Sequence, residues 1–495
     1  MRPGRRFHRD MQIQCQDLDK ALEANRLFGL AAGMADCPGR FFACGEFVLE
    51  SITGHGQEGL LIACGADTLE YSREIGKRAG LAPVELGGVS GGYHLADRDS
   101  TSGSITVIPL GDGIESVLSD TGFTVQALAV DMDASRPREV IDPLGGLDDL
   151  RAGILRASTN DSFTNDPARL LEAAELCSRY GLELEESTLA RMSTDRESIA
   201  TVSPFRMWRY IARLFGGTGL SGKARLLKST GVLGELLPEV EATFEVPQNY
   251  YHHLGVWEHT LEVMDNLESM LESPEQFFGG FGHRVAARMA LPVEGGVDRR
   301  AYLGFAGLIH DIGKPASMTV TSSGRIRFQG HQEMGGRLAE GIASRMGLGR
   351  TGSRHLIGVV ADHMRLGFLM KEGESAQTRL DVVGELGEIT VEVVMLSLAD
   401  RMATCGEAST ADAMGLYRRM ATRVLQDFFW DTDFPSLVNG HDAVVHAGIE
   451  PGPDVAKALF GVRVAQREAV ITNRKQALEF MAPDFKGRMD TGGRL

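Results

Sequence analysis

Four histidines and two aspartates are the residues of this sequence whose types and order could do chemistry. His310 and Asp311 stand side by side at the end of the apolar run Ala306-Gly-Leu-Ile309, just ahead of Gly313-Lys314-Pro315. Val256-Trp-Glu-His259 precedes them, and Gly330-His331, Ala361-Asp-His363 and Leu398-Ala-Asp400 follow. Imidazole and carboxylate donors with no thiolate among them suit Mg, Mn, Fe, Co or Ni. About five or six such ligands serve one or two divalent cations, and a paired centre readies a water for attack on a phosphoester. Lys314 is one helical turn beyond the His-Asp pair, where its ammonium could neutralise a substrate oxygen.

Each of these side chains needs an element to hold it. Leu303, Ala306, Leu308 and Ile309 lead into His310 at helical spacing, and Val391 to Leu398 lead into Asp400 in the same way. Gly313 and Pro315 are expected to stop the first of these helices one turn after the pair. Glu258 stands beside His259, and His252 and His253 lie in the turn entering this region. Arg365 and Arg401 each come close after a ligand, where they could meet phosphate or pair within the domain. His283, His355, His441 and His446 are assigned to surface or packing roles.

The chain has 495 residues, 43% of them hydrophobic, which is too long for one core. It carries a formal net charge of -16, which argues against broad, non-specific nucleic-acid binding because phosphate neutralisation needs clustered Lys and Arg. Local basic patches remain at Arg206, Arg209 and Arg213 and at Lys223, Arg225 and Lys228. The 6 cysteines show no C-x-x-C spacing, as a reducing compartment permits and a zinc ribbon does not. No run of about 18 apolar residues is present, and no apolar segment follows the basic start, so a cytoplasmic location without a membrane partner is expected.

The pattern divides the chain into a leader (1–37), a small α/β head (38–155), a helical neck (156–240), a metal-binding domain (241–410) and a helical tail (411–495). In the head, Arg40 to Gly45, Gly59 to Cys64, Ser104 to Pro109 and Phe123 to Val130 read as strands and Thr68 to Ala79 as a helix. Asp166-Pro167 opens a helix with Leu170, Leu171 and Ala174 on its apolar face. Gly279 to Gly282 and Met289 to Arg299 look like a loop inserted between His259 and His310.

The series ending His310-Asp-Ile-Gly-Lys314 resembles the HD phosphohydrolase superfamily. That resemblance implies a shell of His259, His310, Asp311 and Asp400, with Asp311 bridging two cations and His331 and His363 completing the second site. Landmarks elsewhere recur in one order: Ile141-Asp-Pro-Leu-Gly-Gly146, Asp166-Pro-Ala-Arg169, Val246-Pro-Gln248, Trp257-Glu-His259 and Pro451-Gly-Pro453. Together they resemble the bacterial tRNA nucleotidyltransferase and poly(A) polymerase family, in the CCA-adding form that carries an HD domain. The resemblance implies a multidomain α+β chain: a nucleotidyltransferase-like head, a mostly helical neck, an all-α HD domain and a helical tail.

The head departs from that family's pattern. Where the family places Asp-x-Asp on a strand, this sequence has Glu58-Gly-Leu60; of the base-reading set only Asp166 and Arg169 remain, with Glu172 and Glu175 where arginines are expected. Asp97-Arg-Asp99 and Asp131-Met-Asp133 are acidic doublets at other places. The expected function is therefore a divalent-metal-dependent HD phosphohydrolase acting on a nucleotide or RNA-end phosphoester, with Asp311 and Lys314 catalytic and no DNA partner. Two alternatives are a working tRNA nucleotidyltransferase and a non-catalytic RNA-binding protein.

Overall fold

The computed structural model describes residues 15–33, 39–56, 59–87, 89–96, 103–133, 135, 139–248, 254–372, 375–404 and 411–481. They form two compact units: the first holds the residues up to Phe244 together with 341–350, and the second holds 245–340 and the residues from Thr351 on.

The first unit is built on a seven-stranded sheet of β1 (Phe41–Cys44), β2 (Gly59–Cys64), β3 (Val84–Glu85), β4 (Tyr93–Ala96), β5 (Ser104–Pro109), β6 (Ala129–Asp131) and β7 (Val140–Ile141), in the order β3-β4-β5-β2-β1-β6-β7. β2 and β5 pair in parallel, with Gly59 opposite Ser104, whereas β1 pairs antiparallel with both β2 and β6. Both faces of the central strands are apolar because both are covered. On one face Leu60, Ile62 and Cys64 pack against Phe47, Tyr71 and Ile75; on the other Phe42, Cys44 and Ala63 meet Leu118 and Ala127. Two helices of the leader, α1 (Cys15–Ala24) and α2 (Arg26–Ala32), add Leu18, Leu22 and Phe28 to the first face.

Helix α3 (Glu46–Thr53) starts directly from β1 at Gly45, whose φ of 76° favours glycine there. Helix α4 (Thr68–Ala79) is capped by the Asp67 carboxylate, which accepts from the Glu70 amide, and is ended by Gly80. Residues 123–130 do not form the expected single strand. Thr124–Gln126 is a 3-10 turn and the strand begins only at Ala129. Two contacts hold the turn: Thr124 Oγ1 donates to Asp149 at 2.7 Å, and Gly146 comes so close that a Cβ there would stand 2.0 Å from the Thr124 carbonyl oxygen. The neck follows with α5 (Arg169–Tyr180) and α6 (Pro204–Gly216), whose buried faces include Leu170, Leu171 and Leu176 on one and Ile211, Leu214 and Phe215 on the other.

The second unit is helical. α7 (Val256–Glu272), α8 (Arg299–Ile309), α9 (His331–Arg345, of which residues up to Glu340 belong here), α10 (Arg350–Ala361, from Thr351 on), α11 (Thr390–Ala403) and α12 (Ala411–Asp433) are its main elements. α7 packs on α8 at a glycine: a Cβ on Gly307 would lie 2.7 Å from Leu267. α7 is tied to α11 by Asn266, which donates to the Ala399 carbonyl at 3.2 Å.

The expected insertion loop is ordered into helix Gly282–Met289 and a hairpin pairing Glu294 with Val297. Gly295 and Gly296, at φ 61° and 80°, supply the two left-handed residues of its tight turn. The end of α8 also differs from expectation. The helix closes at Ile309, and Pro315 sits in the first turn of a new short helix, Lys314–Ser317, where its missing amide hydrogen costs nothing. Three further helices, Gly440–Val445, Pro453–Arg467 and Arg474–Met481, share a separate small core of Val438, Val462, Ile471 and Ala477. Among the described residues no helix is long and apolar enough to cross a membrane.

Candidate metal centre and head cleft

Asp311 is the hub of the second unit. Its Oδ2 lies 3.1 Å from His310 Nε2 and 3.7 Å from His259 Nε2, and its Oδ1 lies 3.4 Å from His331 Nε2 and 4.0 Å from His363 Nε2. Asp400, on α11, reaches His259 Nε2 with Oδ1 at 2.9 Å. Six residues drawn from five separate segments therefore converge. Two sets, His259 with His310 and Asp311, and Asp311 with His331 and His363, bring their ligand atoms within 4.8 Å of one another.

The rings are aimed by the backbone. His310 Nδ1 lies 2.9 Å from the Gly307 carbonyl, His331 Nδ1 2.8 Å from the Phe328 carbonyl and His363 Nδ1 2.7 Å from the Val360 carbonyl. A carbonyl only accepts, so each Nδ1 carries the proton and each Nε2 turns a lone pair inward. His331 Nε2 and His363 Nε2 then face each other at 3.3 Å with no proton between them unless one ring is charged. His310 Nε2 and Asp311 Oδ1 are buried and accept no hydrogen bond among the described residues, whereas Asp311 Oδ2 meets the Lys314 ammonium. Converging lone pairs and a buried, unbonded carboxylate oxygen are what a divalent cation would satisfy, and the residues fit one.

Electrostatics favour the metal-binding forms of His363, Asp311 and Asp400. Burial and then the neighbouring His310 and His331 push His363 down to about 3, so its ring stays neutral. Burial works against the charge on Asp311, but His310 and Lys314 outweigh it and hold the carboxyl well below the usual range. Asp400 is likewise lowered, its hydrogen bond with His259 outweighing its burial.

Lys314 does not face open solvent. It is buried, with Nζ 2.6 Å from Asp311 Oδ2 and donating to Gln248 Oε1 at 2.7 Å, a partnership that no local pattern signals. A cavity of about 650 Å³ opens beside the centre, bordered by Asp311, Lys314, His331, Asp400, Arg401 and Tyr417.

Gly313 earns its place through close approach rather than helix termination. A Cβ there would lie 2.0 Å from the His331 carbonyl oxygen and 2.6 Å from the Gly335 amide nitrogen. The turn after the His-Asp pair thus rests directly on the start of α9, which brings His331 to Asp311. Arg365 pairs with Glu385 within the domain, whereas Arg401 borders the cavity. His355 is buried against Glu392 at 3.1 Å, and Glu392 also takes Arg299 at 2.6 Å, forming an ion cluster that sequence reasoning missed. His283, His441 and His446 are exposed, and His252 and His253 lie outside the described residues.

In the first unit, an open cleft of about 590 Å³ lies over α3, β2, β5, α5 and α6. β2 reads Gly-Leu-Leu-Ile-Ala-Cys, so neither of its faces offers a carboxylate; Leu60 itself points into the core, and Glu58 lies outside the described residues. The acids that do border the cleft are engaged. Glu46 takes Arg179 at 3.0 Å and Arg213 at 2.6 Å, and Glu50 takes Arg179 at 2.6 Å. Glu172 accepts from Gln126 at 2.8 Å, and its burial pushes its carboxyl up.

Asp166 pairs with Arg206 at 2.5 Å and also accepts from the Ala168 amide, while Arg169 donates to the carbonyls of Ser162 and Asp120. Glu175 is paired with the buried Lys223 at 2.8 Å. Asp131 is bound by Arg40 and Asp133 by Ser135, and Asp97 and Asp99 lie outside the described residues. The described residues of the cleft do not fit the magnesium pair that nucleotidyl transfer draws on.

Residues 256–405 match the HD domain. The A-adding tRNA nucleotidyltransferase of Deinococcus radiodurans is 26% identical over 383 residues, 76% of this chain and 80% of that protein. The CC-adding tRNA nucleotidyltransferase of Thermus thermophilus is 26% identical over 425 residues, 84% of this chain and 87% of that protein. The chain is a homologue of the CCA-adding tRNA nucleotidyltransferases and carries an HD domain.

A solved CCA-adding enzyme of Thermotoga maritima, complexed with tRNA, has a TM-score of 0.57 at 16% identity over 94% of this homologue and 98% of its own chain, so the fold is shared. The phosphohydrolase expected from the His-Asp series is overturned as the function of this tRNA nucleotidyltransferase homologue. The relatives that align along most of both chains are named for adding nucleotides to tRNA, and the shared fold is that of CCA-adding enzymes.

Proposed function

We propose that this chain is an RNA-processing enzyme that acts at the 3′ end of tRNA, or of an RNA shaped like it, by nucleotide addition. The observation that carries this reading is the length of the match: relatives named for adding A or CC to tRNA align over 76% and 84% of the chain, far more than the HD domain alone. In such a transfer the RNA 3′-hydroxyl forms a bond to the α-phosphorus of a nucleoside triphosphate and pyrophosphate leaves. The cleft of the first unit offers the triphosphate one exposed cation in Arg209, beside Arg213, which Glu46 holds. The second unit would hold one or two divalent cations through His259, His310, Asp311, His331, His363 and Asp400.

The test is incubation with tRNA lacking its 3′ end and labelled CTP or ATP, with magnesium or manganese present. Label should enter the RNA, and Arg209→Ala should lower its entry by about tenfold or more, the loss of a charged contact worth about 1.5 kcal/mol or more. No incorporation with any nucleotide or cation would overturn transfer. One observation favours a second reading, that of a chain which holds RNA without extending it: β2 supplies no carboxylate. A salt-dependent shift of tRNA on a gel, by a preparation that incorporates nothing, would select it.

A further inference from the structure

Lys314 stands where a cation would otherwise be needed. Its ammonium is 2.6 Å from Asp311 Oδ2, the oxygen that faces His259 and His310, whereas Oδ1 on the His331 and His363 side meets no Lys or Arg among the described residues. Gln248 holds the ammonium from behind at 2.7 Å, and Phe328 places its ring 5.6 Å away, so Lys314 is fixed rather than swinging free. The centre contains two carboxylates, Asp311 and Asp400, against this one ammonium, which leaves a single net negative charge when the imidazoles are neutral ligands. One divalent cation already turns that balance positive. A second adds two more positive charges to a site in which Asp311 and His310 are buried, and burial strengthens the repulsion.

We propose that Lys314 limits the centre to one divalent cation on its own and makes uptake of a second depend on a phosphate-type anion. The cavity gives such an anion a seat, because Asp311, His331 and Asp400 border it together with Lys314 and Arg401. An anion there offsets the charge of the second cation and meets both basic side chains. Cation and anion therefore bind as linked partners, each raising the affinity of the other by the same factor. The inference rests on the metal centre and not on nucleotide addition, so the two stand or fall separately.

The test is Mn²⁺ binding to the full-length protein by equilibrium dialysis, with electron paramagnetic resonance to detect a coupled pair, with and without inorganic phosphate. Wild type should take one Mn²⁺ alone and two with phosphate, the second affinity rising on the order of ten- to a hundredfold, and the pair signal should appear only with phosphate. Lys314→Met should take two Mn²⁺ without phosphate, and Lys314→Arg, which keeps the charge, should retain the requirement. Two Mn²⁺ on wild type without phosphate would overturn the proposal, as would a phosphate requirement persisting in Lys314→Met. No Mn²⁺ on wild type would remove the centre and the proposal with it. Should Lys314→Met fail to fold, the wild-type stoichiometry and Lys314→Arg decide the matter.

Discussion

Asp311 is a buried carboxylate facing four imidazoles and an ammonium, and it can be ionised at low cost only because those groups surround it. Asp311→Ala removes the one ligand common to both ligand sets. We expect it to abolish Mn²⁺ binding in metal analysis and to erase the thermal stabilisation that Mn²⁺ gives the wild type, about 2.7 kcal/mol at a hundredfold excess over the dissociation constant. In the head, Leu60 is 2% exposed and packs in the core with Phe47 and Tyr71. Leu60→Asp, which would restore an acid on β2, instead buries an unpaired carboxylate. It should cost about 4 kcal/mol or more in a urea titration, so a single reversion cannot rebuild an acid pair there.

The elements show which signals a sequence carries. Gly59–Cys64, Thr68–Ala79 and Ser104–Pro109 take up the ranges expected of them, because their apolar runs end at turn residues and local pattern decides. The six side chains that converge around Asp311 likewise stand out in the sequence by type and order, and the structure brings them together. The 3-10 turn at Thr124 was not, since Gly146 and Asp149, distant in sequence, impose it. Nor was the role of Gly313, fixed by a backbone contact with His331. Gly313→Ala must push α9 away from the pair and should both lower the melting temperature and weaken Mn²⁺ binding, which dialysis and calorimetry would separate.

Between α8, α10 and α11, Glu392 is bound by Arg299 and His355 with almost no solvent. Glu392→Gln leaves the buried Arg299 only the exposed Glu388 carboxylate, at 3.2 Å, as counter-charge and should cost about 2 kcal/mol or more. Burial opposes the Glu392 charge, but His355 and Arg299 outweigh it and lower its carboxyl below the ordinary 4.5. Its contribution is therefore complete above 4.5 and fades as pH falls through the lowered value. The stability gap between wild type and Glu392→Gln, followed by urea titration, should shrink on acidification.

At the level of the whole chain, the candidate centre lies entirely in the second unit, and a cation that binds only the folded form raises the stability of the unit that binds it. Calorimetry with Mn²⁺ should move one transition upward and leave the other in place, and a chelator should reverse the shift; a common shift of both would contradict this. The whole chain also explains why the local signal misled as to function. The ligand series occupies one domain and speaks for that domain alone, whereas the relatives align over most of the polypeptide.

Three of the imidazoles are braced by carbonyls of their own turns, at Gly307, Phe328 and Val360. Rings braced in this way take their direction from the backbone and not from a cation, so the geometry of the socket is written into the fold itself.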